Sequence, residues 1–175
     1  MTNSADNSAP NSTPNANQPS NHQHFMRRAI ELSLQNVAVH GGGPFGAVVV
    51  QDGVIVGEGW NQVTANNDPT AHAEINAIRA ACKTVARFDL RGASIYTSCE
   101  PCPMCLAAIY WARLDAIFYA NTKLDAAAIQ FDDNFIYQQL SKPVDERSIP
   151  MTQLLRDEAS AAFVLWRNTA SKTPY

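Results

Sequence analysis

The chain has 175 residues, of which 46% are apolar, and a formal net charge of −3 at pH 7. This size and composition predict one globular domain with a hydrophobic core. The acidic balance, with a sequence pI of about 5.7, argues against a broad basic surface, so we expect no nucleic-acid partner. No apolar run reaches the length of a membrane span, and the N-terminus lacks the pattern of a secretory signal. We therefore expect a cytoplasmic protein with no membrane partner.

The N-terminal segment over residues 1–22 consists mostly of Asn, Ser, Pro, Thr, Ala and Gln. Such a segment buries too little apolar surface to offset the entropy lost on ordering. We therefore predict a disordered tail, followed by a single domain over residues 23–175. From Phe25 onward, apolar residues recur every three or four positions and predict a helix that ends at the glycines of residues 41–43. The predicted apolar face of this helix consists of Met26, Ile30, Leu34 and Val37.

A β-hairpin is predicted directly after this helix. Two β-branched runs, Ala47–Val50 and Val54–Val56, flank the dipeptide Asp52-Gly53. Asp-Gly is a strong hairpin signal because both turn residues must tolerate a positive φ.

Helices and strands alternate after the hairpin. Helices are predicted over residues 71–82 and 104–113, and short strands over residues 93–97 and 116–119. The order strand–helix–strand–helix–strand favours an α/β layered sheet with crossover helices.

The last third of the chain has weaker patterns. Residues 121–150 are irregular, and residues 151–155 are compatible with either a strand or an extended linker. Asp157 is predicted to cap a helix that continues through Trp166.

Two short segments carry the residues of a metal site. His72 precedes a predicted helix, and Cys102 and Cys105 lie three positions apart at the start of another. A catalytic zinc ion has three protein ligands and keeps one position for water. The N-terminus of a helix also favours thiolate over thiol. His72, Cys102 and Cys105 are therefore the predicted ligands of one catalytic zinc ion per subunit.

Glu74 is interpreted as a proton carrier beside the metal and not as a ligand. Residues two apart point away from each other inside a helix, but at its first turn His72 and Glu74 can border the same cavity. A carboxylate there can accept a proton from the attacking water and deliver it to the substrate. The combined H-x-E and P-C-x-x-C pattern is that of the zinc-dependent nucleobase and nucleoside deaminases.

Structural interpretations compete with this one. A lone C-x-x-C is often a structural zinc half-site or a redox pair, and a lone H-x-E is common on helix surfaces. Cys99 offers a fourth ligand, which would close the site as a structural Cys3His centre. Because Cys99 lies on the strand side of the turn, we interpret it as a buried packing residue. Cys82 lies near the end of a predicted helix and is also interpreted as a packing residue.

Six motifs resemble those of the cytidine-deaminase-like superfamily and, within it, the small zinc-dependent guanine deaminases of bacteria. They occupy residues 42–47, 67–74, 96–105, 108–113, 131–137 and 166–168. The zinc motifs are shared by the whole superfamily. The Phe-Asp-Asp segment at Phe131 and the C-terminal Tyr175 are what indicate guanine deaminase.

The resemblance implies a three-layer α/β/α sandwich with a five-stranded mixed sheet. It implies hydrolysis of a small purine base, guanine, to xanthine and ammonia, with Glu74 and Asp133 as catalytic proton carriers. It further implies that the substrate is bound by Phe45, Asn61, Ala73, Trp111, Asp133 and Tyr175. Finally, it implies a domain-swapped homodimer in which roughly residues 156–175 cross over and Tyr175 closes the site of the other subunit.

Other functions stay open at this point. One alternative is a deaminase that acts on guanosine, a triazine, cytosine, cytidine or tRNA adenosine. The acidic pI weakens the tRNA alternative. A further alternative is a zinc-stabilised binding module without catalysis, and the role of Glu74 distinguishes it from an enzyme.

Overall fold

A mixed β-sheet with helices on both faces forms the centre of the protein, in a computed structural model that describes residues 19–174. The strands are β1 (Gly46–Gln51), β2 (Val54–Trp60), β3 (Ala93–Cys99) and β4 (Ala116–Asn121). The helices are α1 (Pro19–Gln35), α2 (Val63–Asn66), α3 (Ala73–Val85), α4 (Pro103–Trp111), α5 (Lys123–Ala128), α6 (Asn134–Ser141) and α7 (Arg156–Asn168). A π-helical turn (Asn36–His40) follows α1, and a 3-10 turn (Val144–Glu146) follows α6. Residues 1–18 of the predicted tail and Tyr175 lie outside the described residues.

The strands are arranged in the order β2-β1-β3-β4. β1 is antiparallel to β2 and β3, and β3 is parallel to β4. Over residues 19–174 the sheet thus has four strands, so the prediction of five was wrong. The remaining candidate, residues 151–155, has no regular secondary structure and is exposed throughout. It has neither a ladder partner nor a covered face, which are the two sources of strand stability.

The predicted hairpin is confirmed. Asp52 and Gly53 have φ values of 52° and 77° and join β1 to β2. The alternation that follows is confirmed as well, as β2, α3, β3, α4 and β4.

The two faces of β1 divide the core between two helical layers. Val48 and Val50 pack against α1, whereas Ala47 and Val49 pack on the side of α3 and α4. This division follows from the alternation of side chains along a strand. It makes the domain a three-layer α/β/α sandwich.

Helix α3 lies very close to β2 because two residues of that strand lack side chains. A Cβ atom on Gly57 would collide with the carbonyl oxygen of Ala77, and one on Gly59 with that of Ala73. This close approach fixes the first turn of α3 beside the C-terminal end of β2.

Helix α1 starts earlier than predicted. It begins at Pro19, so the last four residues of the predicted tail are helical. The ring of His22 packs on that of Phe118 with centroids 4.5 Å apart, and its Nδ1 lies 2.8 Å from the hydroxyl oxygen of Tyr96. These contacts with the sheet explain the early start.

The buried face of α1 also differs from the predicted one. Phe25, Ala29 and Leu32 are buried against the sheet. Most of the predicted face is exposed, at 37% for Ile30, 64% for Leu34 and 51% for Val37, while Met26 is partly buried. The two neighbouring stripes have the same spacing, so periodicity did not distinguish them. The sheet selects the stripe with Ala29, because the backbone of this helix approaches Gly46 closely there.

The C-terminal helix α7 confirms the predicted helix, but not its cap. Leu155 occupies the N-cap position with a φ of 51°, and Asp157 lies within the first turn. An acid in the first turn is still favourable, because it faces the positive end of the helix dipole. Within residues 19–174, no helix is long and apolar enough to cross a membrane.

Candidate active site

His72 and Cys102 occupy equivalent places at the starts of two helices. His72 is the N-cap residue of α3, with φ −70° and ψ 159°, and Cys102 is the N-cap residue of α4, with φ −65° and ψ 168°. Cys105 lies in the first turn of α4. The N-termini of both helices therefore meet at one point, where their dipoles favour anionic groups such as thiolates.

The three predicted ligand atoms lie close together, and both cysteine sulfurs are at the distance from the histidine nitrogen that a tetrahedral zinc site requires. The Sγ atoms of Cys102 and Cys105 lie 3.5 and 3.6 Å from Nδ1 of His72. All three atoms lie within 4.8 Å of one another. With Zn–S bonds of about 2.3 Å and Zn–N bonds of about 2.0–2.1 Å, tetrahedral ligands are separated by roughly 3.5–3.8 Å. The donor set therefore fits one zinc ion with a fourth position left for water.

The pKa values of the two ligand thiols, Cys102 and Cys105, are shifted in opposite directions. A hydrogen bond from Cys105, aided by His72, lowers the pKa of Cys102 to about 4 despite its burial. The same pairing, together with burial, raises the pKa of Cys105 above its ordinary range. The hydrogen bond to Cys102 also raises the pKa of His72. One thiolate is thus already favoured by the protein, as metal binding requires.

Cys99 is not part of this cluster. It is buried at the end of β3, and its Sγ lies 3.6 Å from the carbonyl oxygen of Thr122. Burial raises the pKa of its thiol to about 11. Within the described part of the chain, the grouped metal-ligand atoms are those of His72, Cys102 and Cys105.

Glu74 lies in the first turn of α3, where its side chain is almost completely buried. It is 6% exposed, and its Oε2 accepts a hydrogen bond of 3.4 Å from the thiol of Cys105. Burial raises the pKa of this carboxyl group. A carboxyl group whose pKa is raised beside a metal site is suited to accepting and releasing protons.

A cavity of about 420 Å³ opens above these residues. Five of the predicted site residues line it besides Cys102, namely Phe45, Asn61, His72, Glu74 and Asp133. Its walls come from the loop before β1, the end of β2, the start of α3 and the segment between α5 and α6. The structure thus brings together side chains that are up to 88 positions apart in the sequence, from Phe45 to Asp133.

Asp133 and its neighbour Asp132 both line the cavity but differ in their surroundings. Asp133 is partly buried, and burial together with the nearby thiolate of Cys102 raises the pKa of its carboxyl group. Asp132 is exposed and accepts a hydrogen bond of 2.8 Å from the backbone N–H of Asn134. Asp132 thus serves the local turn, whereas Asp133 faces the environment of the metal ligands.

Two aromatic rings meet at the cavity wall. Phe45 and Phe131 pack edge to face, with centroids 4.9 Å apart and an interplanar angle of 89°. Phe131 was not among the predicted substrate residues, although the sequence singles out the segment that contains it. The signal that was missed is that Phe131 lies two residues before Asp133 in the same short segment, and both line the cavity.

Three predicted substrate-binding residues are not among the described residues that line the cavity. Ala73 is fully buried as the first residue of α3, next to the cavity residues His72 and Glu74. Trp111 is the last residue of α4, at the opposite end from Cys102 and Cys105, and is 64% exposed. Trp111 is therefore not among the described residues that line the cavity of its own chain. Tyr175 lies outside the described residues.

Comparisons with known proteins agree with this geometry. Residues 19–121 match the cytidine and deoxycytidylate deaminase zinc-binding region. The chain is 54% identical over 155 residues to guanine deaminase from Bacillus subtilis, a match that covers 89% of this chain and 99% of that protein. The X-ray structure of guanine deaminase from Bacillus subtilis superimposes with a TM-score of 0.85 at 53% identity, over 88% of this chain and 98% of that one.

The chain belongs to the bacterial guanine deaminases of the cytidine-deaminase-like superfamily. Its domain is a zinc-binding deaminase domain, and the His/Cys/Cys group is positioned to bind one metal ion. A more distant relative is the tRNA-specific adenosine deaminase from Agrobacterium fabrum, which is 36% identical over 115 residues, or 66% of this chain and 75% of that protein. The match to the guanine deaminase extends over almost the full length of that protein, including the region beyond the zinc motifs.

Proposed function

We propose that the chain hydrolyses free guanine to xanthine and ammonia, with His72, Cys102 and Cys105 as the zinc ligands. The observation that carries the proposal is the position of Glu74, which is buried, lies beside the ligand Cys105 and lines the cavity. A structural zinc site has no need of a buried carboxyl group at the floor of an open cavity. When bound, zinc supplies a nucleophile derived from water at neutral pH.

Glu74 is the first proton carrier in this proposal. Its raised pKa allows the carboxylate to accept the proton released when water attacks the ring carbon that bears the amino group. The protonated carboxyl group then gives that proton to the substrate. The N2 position of Glu74 in α3, beside the N-cap ligand His72, holds the carboxyl group next to the site of attack.

Asp133 is the second proton carrier and faces the leaving group. Its carboxyl group lies in the same cavity as Glu74, and its pKa is also raised. We assign to it the hydrogen bond with the exocyclic amine and the transfer to that amine of the proton lost by the newly added hydroxyl group, so that ammonia leaves as the carbonyl group of xanthine forms. With two separate carboxyl groups, Glu74 can protonate the substrate while Asp133 protonates the amine that leaves.

The remaining contacts hold the purine. Phe45 offers an aromatic face to the flat ring, and Phe131 supports Phe45 through their edge-to-face contact. The Oδ1 atom of Asn61 accepts a hydrogen bond of 3.3 Å from the backbone N–H of Val63, which orients its amide at the cavity wall. Ala73 contributes its backbone.

The charge of the cavity favours a free base over a nucleic acid. Its lining includes four carboxylate residues but, among the described residues, one cationic side chain, Lys123. The carboxylates belong to Glu74, Glu100, Asp132 and Asp133. Binding of tRNA requires cationic side chains that contact its phosphates, and the acidic lining of this cavity would repel those phosphates.

The C-terminal segment is assigned to a domain-swapped homodimer. Helix α7 carries large apolar residues that its own chain leaves uncovered, with Phe163 80% exposed and Leu165 70% exposed. The preceding residues Leu154 and Leu155 are 77% and 69% exposed. A second subunit that packs on this segment would bury these side chains and would place Trp111 and Tyr175 where each can reach the site of the other subunit. Light scattering is expected to give the mass of a dimer, and a monomer at micromolar concentration would refute the swap.

We assign the reaction to purine breakdown. We also assign the protein to the cytoplasm, because reducing conditions there keep the four cysteines of the chain free.

A substrate panel tests the proposed function. The purified protein with one zinc ion per chain is incubated with guanine, guanosine, cytosine, cytidine and adenosine, and product formation is followed by absorbance. A tRNA substrate forms a separate arm. The proposal predicts rapid conversion of guanine and far slower conversion of the others. Absence of guanine turnover, or faster turnover of another substrate, would overturn it.

A further inference from the structure

Asn36 joins the two chain segments that carry Phe45 and Asn61. It is the first residue of the π-helical turn after α1 and is 1% exposed. Its Nδ2 donates two hydrogen bonds of 2.8 Å, one to the carbonyl oxygen of Gly43 and one to that of Asn61. Because both acceptors are carbonyl oxygens, only the NH₂ end of the amide can occupy this place.

A ring of backbone hydrogen bonds surrounds these two contacts. The N–H of Phe45 donates to the carbonyl oxygen of Gly43 over 2.8 Å, and the N–H of Asn61 donates to that of Phe45 over 3.1 Å. The amide of Asn36 therefore ties together the backbone on both sides of the cavity wall. The backbone carbonyl oxygen of Asn36 accepts a hydrogen bond of 3.3 Å from the N–H of Gly42.

Gly42 makes room for this amide. A Cβ atom on Gly42 would lie 2.6 Å from Nδ2 of Asn36, so a larger residue would displace the amide from its two acceptors. The Oδ1 atom of Asn36 has no hydrogen-bond partner among the described residues. A buried amide with an unpaired acceptor is costly, so a position that served packing alone would favour an apolar side chain. The two donated hydrogen bonds are what the amide contributes here.

We propose that Asn36 is a positioning residue for purine binding, which acts by holding Phe45 and Asn61 at their places in the cavity wall. The inference rests on the proposed function, because Phe45 and Asn61 matter only if they bind the base. Asn36 does not line the cavity and forms no described hydrogen bond with His72, Glu74 or the ligand cysteines. Its effect therefore falls on substrate binding and leaves proton transfer intact.

The test is a comparison of Asn36→Asp with Ser33→Ala by steady-state kinetics on guanine. Asn36→Asp keeps the shape of the side chain but replaces the two donated hydrogen bonds with repulsion between oxygen atoms. Ser33 is the matched control, because it is buried on the same helix face and its hydroxyl donates a hydrogen bond of 2.7 Å to Ile30. Asn36→Ala is measured in parallel, since it removes the amide without burying a charge.

We expect both Asn36 variants to raise KM by about tenfold or more, which corresponds to the loss of one or two buried hydrogen bonds. Both are expected to keep kcat within about twofold of the wild type, since only uniform binding is lost. Zinc content should stay at one per chain. Ser33→Ala should lower the melting temperature and leave KM unchanged. A folded Asn36 variant with the KM of the wild type would overturn the inference, whereas a wild type that does not convert guanine would overturn the proposed function.

Discussion

The Sγ atom of Cys102 lies 3.5 Å from Nδ1 of His72, although 30 positions separate the two residues in the sequence. Both are N-cap residues with nearly the same backbone conformation, at the starts of helices that follow different strands. The sheet order places these two helix starts together, because β2 and β3 both flank β1. The metal site is therefore a property of the sheet topology as much as of the ligands themselves.

Zinc retention should separate the ligand cysteines from Cys99. Cys102→Ala is expected to lose the metal and the activity, because it removes a thiolate ligand. Cys99→Ala, the matched control, is expected to keep one zinc ion per chain, since its Sγ faces the carbonyl of Thr122. Metal analysis of the purified variants measures both. Zinc loss from Cys99→Ala would favour a closed structural site.

Asp133 and Asp132 offer a direct comparison of adjacent acids. Asp133→Asn should lower kcat by about 10²–10⁴-fold, because an amide cannot deliver a proton to the leaving amine. Asp132→Asn should stay close to the wild type, because the amide oxygen can still accept the hydrogen bond from the N–H of Asn134. Steady-state kinetics on guanine decides this, and equal losses in the two variants would refute the specific role of Asp133.

The ion pair between Arg28 and Glu58 should stabilise the fold in a pH-dependent way. Two hydrogen bonds of 2.7 Å join the guanidinium group to the carboxylate, between α1 and β2. These hydrogen bonds lower the pKa of the Glu58 carboxyl group below its ordinary value of 4.5. Since a lowered carboxyl pKa stabilises the folded state at higher pH, this contribution is present at neutral pH and is lost as the pH falls through the lowered pKa.

Glu58→Gln should therefore lower the free energy of unfolding at pH 7 by about 1 kcal/mol or less, given the partial exposure of the pair. The difference from the wild type should shrink as the pH falls below 4.5. Glu31→Gln is the control, because Glu31 forms a longer and more exposed contact of 3.4 Å with the same arginine. Denaturant titrations at several pH values measure the three proteins. A Glu58→Gln effect that grows in acid would contradict this sign.

The C-terminus should matter for turnover and not for folding. Deleting Thr173–Tyr175 is expected to lower turnover of guanine, because Tyr175 is proposed to close the site of the other subunit. The melting temperature should stay within a few degrees of the wild type, since Thr173 and Pro174 are both exposed. Unchanged kinetics in the truncated protein would remove the proposed closing role.

Much of the fold could be predicted from local patterns. The Asp52-Gly53 turn and the alternation of β2, α3, β3, α4 and β4 depend on short-range preferences, and the structure confirms them. Errors arose where tertiary packing decides. The buried face of α1 depends on which stripe approaches Gly46, and the strand number depends on whether residues 151–155 find a partner.

Part of the site could also be predicted from the sequence, and part of it could not. The spacing of Cys102 and Cys105 and the H-x-E pattern at His72 carry the metal chemistry in the sequence itself. The aromatic contact of Phe131 with Phe45 and the amide of Asn36 beneath the cavity wall depend on segments that meet only in three dimensions. No local pattern distinguishes such an asparagine from an ordinary one near a helix end.

Glu74→Gln tests whether Glu74 carries the proton when guanine is hydrolysed. The substitution keeps the size of a side chain that is 6% exposed but removes its ability to carry a proton. Xanthine formation from guanine and zinc content are measured on the same preparation. We expect a loss of kcat by about 10²–10⁴-fold with zinc still at one per chain. A Glu74→Gln protein that holds zinc and converts guanine as fast as the wild type would contradict it.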